Sequence, residues 1–198
     1  MQKAIGVFGG TFNPIHLGHL KVAKSAMEEC NLSKVIFLPN GNPPHKSGEY
    51  IAPAHHRYNM IKLAIDGIDG FCVSDYELKR EDPSYTIDTN RAFKSMYNCP
   101  VFFIIGADSL HTLSEWKSYN DLILECKFIV AARSGEDFPS LLDACYNHNQ
   151  KGGSATPLSM EICDVTSTDI RRFIQENTDV KALMPEAVTQ YIKEHNLY

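Results

Sequence analysis

An α/β fold built on a doubly wound parallel sheet is predicted by three features of this sequence. Short apolar runs suited to strands recur at residues 4–8, 35–38, 71–74, 101–105 and 128–132, with a weaker one at 159–162. Helical patterns separate them, at 19–30, 54–65, 87–97, 119–124 and 141–148. The strand runs are apolar throughout rather than alternating, as expected of strands covered by helices on both faces. Alternation of this kind builds a Rossmann-like sheet, whose ligands bind outside the carboxyl ends of the strands. The polar, glycine-bearing stretch 147–157 (NHNQKGGSATP) reads as a loop or hinge. Two more helical patterns follow, at 167–176 and 185–195, the second opened by Pro185, which suits a first helical turn. They make a small C-terminal helical subdomain. Residues 1–157 form the Rossmann-like core, and 158–198 are the C-terminal part of the same domain.

Composition narrows the function classes. At 198 residues the chain suits one domain with a real hydrophobic core. A net charge of −5 disfavours a nucleic-acid partner, because wrapping a phosphate backbone needs clustered Lys and Arg. Any phosphate chemistry must therefore be local. Cys30, Cys72, Cys99, Cys126, Cys145 and Cys163 are spread without close pairs, which points to free thiols in a reducing compartment. The first residues lack a signal pattern, and no apolar run approaches the length of a membrane span. A cytoplasmic protein with no membrane partner is expected; whether it forms a homo-oligomer is left open.

The first strand ends in Gly9 and Gly10, which can bring backbone close to a phosphate and can take a positive φ. Thr11, Phe12 and Asn13 follow, and then His16-Leu17-Gly18-His19 at a helix start. Histidines three apart share one face of a helical first turn, over amides that attract anions. A zinc site would need further ligands, and the sequence has neither CxxC nor HExxH. After the second strand, the proline-rich loop Leu38-Pro39-Asn40-Gly41-Asn42-Pro43-Pro44-His45-Lys46 offers a basic pair at the same edge. Ser84-Tyr85-Thr86 precedes a helix that Ser84 or Thr86 could cap, leaving amides for a carboxylate. The fourth strand leads into Gly106-Ala107-Asp108, where Gly106 permits close approach and Asp108 can accept from hydroxyls. Trp116, the single tryptophan, could stack on an aromatic ring. Ser167, Thr168 and Arg171 form a second helix start suited to phosphate, and Arg133 follows the fifth strand.

The run GVFGGTFNPIHLGHL resembles the (H/T)xGH signature of the nucleotidyltransferase superfamily, in the form found in bacterial nicotinate-nucleotide adenylyltransferases. It departs by Asn13 where that family usually has Asp, a change that keeps the turn-forming acceptor and drops the charge. PPHK, SYTIDT, GADSL with Trp116, and VTSTDIR are similar to the family's later motifs, in the same order. The resemblance implies that ATP is held by Gly9, Gly10, Thr11, Phe12, His16, His19, Gly106, Asp108, Ser167, Thr168 and Arg171. It implies a mononucleotide held by Asn40, His45, Lys46, Ser84, Tyr85, Thr86, Trp116 and Arg133. His16, His19 and Arg171 would be the catalytic groups, Mg²⁺ would arrive with ATP, and the acceptor would be nicotinate mononucleotide. The alternatives are the amide mononucleotide, another phosphate acceptor, or a nucleotide sensor without turnover.

Overall fold

The strands are β1 (Ile5–Gly10), β2 (Lys34–Pro39), β3 (Phe71–Val73), β4 (Val101–Gly106), β5 (Lys127–Ala131) and β6 (Ala155–Pro157). They form one sheet in the order β3-β2-β1-β4-β5-β6, with every neighbouring pair parallel. The helices are α1 (Leu17–Glu29), α2 (Ala54–Ala64), α3 (Thr86–Tyr97), α4 (Ala107–His111), α5 (Tyr119–Glu125), α6 (Phe138–Gln150), α7 (Ser167–Gln175) and α8 (Glu186–Glu194). This computed structural model describes residues 3–41, 50–80, 82–132, 137–160 and 165–198.

The apolar strands read as continuous because both faces of the sheet are covered. Phe8, Val35, Phe37, Ile104 and Ile129 pack on one face, against Ala23 and Ala26 of α1, Met60 and Ile61 of α2, Ile170 of α7, and Val188 and Ile192 of α8. Ile5, Val7, Ile36, Leu38, Phe103 and Val130 pack on the other, against Phe93 of α3, Leu110 of α4, Leu122 of α5, and Leu141 and Cys145 of α6. The C-terminal helices thus share the core that α1 and α2 help to build. Chain order places β2 and β3 on one side of β1, and β4, β5 and β6 on the other. The order reverses between β1 and β4, and the crevice at such a switch point is where open α/β sheets bind ligands.

Two sequence expectations are corrected at the far edge. The weak strand expected at 159–162 is absent from Ser159 and Met160, while 161–164 lie outside the described residues. The sixth strand is instead Ala155–Pro157, inside the stretch expected to be a loop, and α6 runs on to Gln150. The open edge of β5 recruits this short segment through Phe128↔Ala155 and Ile129↔Thr156. Asn149 closes the turn: its side chain donates to the Ala155 carbonyl at 3.0 Å and accepts from the Ala155 amide at 2.7 Å. Pro157 is tolerated because an outer strand need not donate on both sides. The five described cysteines, Cys30, Cys72, Cys99, Cys126 and Cys145, are free thiols. Among the described residues, no helix is long and apolar enough to cross a membrane.

Candidate active site

The site is assembled on the loop from Thr11 to His16, between the end of β1 and the start of α1. Gly9 and Gly10 are the last residues of β1, extended rather than turned; the glycines with positive φ among the described residues are Gly67, Gly70 and Gly152. Their contribution is space. A Cβ on Gly9 would meet nothing within 4 Å, and one on Gly10 would press the Phe12 ring at 3.2 Å. The left-handed residue is Phe12, at φ 49°, whose buried ring lies edge-on to Phe8 and near His19. The Asn13–Pro14 peptide is cis.

His16 caps α1 from an extended conformation, and His19 sits one turn in. Their rings come within 3.8 Å, centroid to centroid. The His16 backbone N–H donates to Nδ1 of His19 at 3.2 Å. That bond requires a lone pair on Nδ1, so a neutral His19 carries its proton on Nε2, as a donor. Not all first-turn amides are open to an anion: the Leu17 N–H donates to Leu183 O and the His19 N–H to His16 O.

Asn13, 1% exposed, is the hub below them. Its Nδ2 donates to Tyr50 O at 2.9 Å, while its Oδ1 accepts from Ala52 N at 3.0 Å and from the Tyr198 hydroxyl at 2.7 Å. An aspartate there could not make the first of these bonds, so the amide does more than preserve a turn. Burial pushes the Tyr198 phenol well above its ordinary value, against the pull of Arg171 and Arg57, so it remains a donor.

α7 closes over the same loop. Thr166 caps it, accepting from Asp169 N and donating to Asp169 Oδ2. Ser167 donates to Pro14 O at 2.9 Å. Arg171 donates to Asn13 O at 2.9 Å and to Thr168 Oγ1 at 3.3 Å. Sequence-distant Ser167, Thr168 and Arg171 thus meet the histidine loop. Arg172 instead faces outward and pairs with Asp169.

On the other side of β1, Gly106 ends β4 and Asp108 stands exposed in the first turn of α4. Trp116 is half-buried against the second core cluster. The α3 start differs from expectation: Tyr85 occupies the cap position, and neither Ser84 nor Thr86 caps it with a side chain. The amides of that first turn therefore have no side-chain cap. Lys117 lies 4.1 Å from the Tyr85 ring centre and 3.3 Å from Asp88 Oδ2, which places an ion pair beside this helix start. Asn40 is anchored after β2 by its N–H on Gly10 O at 3.0 Å. His45, Lys46 and Arg133 lie outside the described residues.

The family described as cytidylyltransferase-like matches residues 7–173. Across 100% of both chains, the protein is 39% identical to a probable nicotinate-nucleotide adenylyltransferase of Clostridium tetani. It is 41% identical, again across 100% of both, to one from Clostridium acetobutylicum. The chain belongs to this cytidylyltransferase-like family of nicotinate-nucleotide adenylyltransferases. The fold agrees with a solved Plasmodium falciparum nicotinic acid mononucleotide adenylyltransferase complexed with NaAD, at a TM-score of 0.81 and 21% identity, covering 100% of this chain and 98% of that one.

Motif reading misses three residues that touch this candidate site: Arg57, which donates to Thr11 O and Asn40 O, Tyr198 and Lys117. For Arg57 a signal exists, because residues 57, 60, 61 and 64 are the buried face of α2. An arginine thus stands in an apolar stripe at helical spacing. Nothing local marks Tyr198, which reaches Asn13 across 185 positions.

Proposed function

We propose that this chain transfers the adenylyl group of ATP to nicotinate mononucleotide, releasing pyrophosphate and forming nicotinate adenine dinucleotide, a step of NAD biosynthesis. The observation that carries the reading is the meeting of His16, His19 and Arg171 on one loop at the switch point, in a chain similar from end to end to relatives of that name. The 5′-phosphate of the mononucleotide attacks the α-phosphorus of ATP in line, and the bond to the β-phosphate oxygen breaks. The attacking oxygen is already ionised, so no protein nucleophile is needed. Catalysis is positioning plus stabilisation of charge on the phosphoryl oxygens.

In this reading His19 donates through Nε2 to the α- and β-phosphate oxygens alongside His16, and Arg171 holds the leaving pyrophosphate with Ser167 and Thr168. Gly9, Gly10, Thr11 and Phe12 admit the triphosphate, and Asp108 beside Gly106 accepts from ribose hydroxyls. ATP enters as its Mg²⁺ complex. Phosphate oxygens and water would hold that cation. In this reading Asn40, His45, Lys46 and Arg133 are assigned to the mononucleotide phosphate, Trp116 stacks on the pyridine ring, and the uncapped α3 amides at Ser84, Tyr85 and Thr86 donate to its carboxylate. The setting is cytoplasmic.

Pyrophosphate release with ATP and Mg²⁺, offering the acid and amide mononucleotides side by side, tests this. Release with the acid, faster by about tenfold per 1.4 kcal/mol of discrimination, is expected. Equal rates would remove the carboxylate site, and no release with either would overturn the activity.

A further inference from the structure

Arg57 is the largest side chain among the fully buried ones, at 1% exposure, yet it belongs to no motif. It rises from the first turn of α2 into the space beneath the carboxyl edge of β1 and β2. Its Nε donates to Ala52 O at 3.0 Å. Nη1 donates to Thr11 O at 2.8 Å and to Asn40 Oδ1 at 3.4 Å, and Nη2 to Asn40 O at 2.7 Å and Gly41 O at 3.3 Å. These oxygens come from three segments: the loop after β1, the loop after β2 and the entry to α2. All are neutral. Burial draws the guanidinium below its ordinary value, but arginine stays protonated at neutral pH. Its acceptors among the described residues carry no net charge, so the guanidinium adds positive potential above it, where anionic substrates would sit.

The planar fork makes this a geometric device as well as an electrostatic one. Its N–H groups leave at set angles, so the carbonyls of Thr11 and Asn40 are held at a set separation. Thr11 belongs to the loop that would face the triphosphate, and Asn40 to the loop that would face the mononucleotide. With Oδ1 turned toward Arg57, the carboxamide of Asn40 presents its NH₂ as the end for an acceptor.

We propose that Arg57 is a positioning residue for adenylyl transfer, fixing the spacing between the two substrate loops and the orientation of Asn40, a role that rests on the activity proposed above. Reacting atoms must be held within about 3–3.5 Å, and a shift of about 1 Å can cost on the order of a hundredfold in rate. Lysine keeps the charge but cannot bridge separate carbonyls in a plane, so Arg57→Lys separates geometry from charge.

The test compares wild type, Arg57→Lys, Asn40→Ala and the double variant by initial rates of pyrophosphate release with both substrates varied. Wild-type turnover is the control, and its absence would indict the activity rather than Arg57. Arg57→Lys is expected to lose about 10- to 100-fold in kcat/KM for the mononucleotide, the range for charge-assisted hydrogen bonds. Asn40→Ala should then cost at least threefold less in the Arg57→Lys background than in wild type, because a misaimed Asn40 has less to lose. A merely structural arginine would give additive losses, and additivity or near-native kcat/KM overturns the proposal. Side-chain nitrogen NMR of Arg57 in wild type covers the case of unfolded variants. Slow, resolved guanidinium signals that shift when the mononucleotide or ATP is added singly are expected; signals indifferent to both overturn it.

Discussion

Asn13→Ala tests whether the polar network under the histidine loop is a unit. The substitution deletes three hydrogen bonds: to Tyr50 O, from Ala52 N and from the Tyr198 hydroxyl. At about 1 kcal/mol net for each, the loss is about 3 kcal/mol, rising toward about 5 kcal/mol where the orphaned Ala52 amide stays dry. For a chain of this size each kcal/mol moves Tm by about 2–4 °C, so a drop of at least about 6 °C is expected. Tyr198→Phe removes one of the same bonds and should cost about 1 kcal/mol by itself. In the double variant the tyrosine change should cost little more, because the acceptor has already gone. Urea unfolding of the four proteins gives the coupling energy, expected at about 1 kcal/mol and well above the few tenths seen for independent sites. Strict additivity would refute the network. Arg171 donates to the Asn13 backbone carbonyl, which alanine retains on a loop that has lost its side-chain anchors, so Asn13→Ala should also slow turnover at temperatures where the protein is still folded.

His19→Ala is expected to melt near wild type, because the side chain is only half-buried, yet to lose about 10²–10³ in kcat, as when a preorganised donor to a developing oxyanion is removed. Near-native turnover would remove His19 from the chemistry. Glu77 carries a pH prediction. Burial pushes its carboxyl above the ordinary value of 4.5, against the hydrogen bond from Thr89 and the charge of Arg80. A raised folded value means that its stabilising contribution is complete below the unfolded value and is lost as pH rises through the folded one. Glu77→Gln keeps an oxygen for Thr89, so it should be the more stable protein at neutral pH, with the advantage shrinking as pH falls. Thermal melts across pH measure this, and a glutamine variant less stable at neutral pH would refute it.

Local chemistry explains what could be anticipated. Strands buried on both faces must be apolar throughout, and Val35 to Leu38 shows this without reference to neighbours. The histidine pair was equally accessible, since a spacing of three at a helix start brings two side chains together whatever surrounds them. The α3 cap failed because both Ser84 and Thr86 flank the position that the chain uses, Tyr85. The sixth strand failed for a different reason. Ala155–Pro157 has little strand propensity of its own, and it is a strand because β5 presents an unpaired edge and Asn149 fastens the turn.

The sequence alone thus settled the alternation of the fold and singled out the loop that carries the histidine pair, because each depends on contacts within a few positions. It was silent on what holds that loop in place. Arg57 reaches Thr11 across 46 positions, Arg171 reaches Asn13 across 158, and Tyr198 reaches it across 185. Which helix face turns inward, and over which strand end, follows from the packing of the whole sheet. The buried arginines find their carbonyls only once that packing exists.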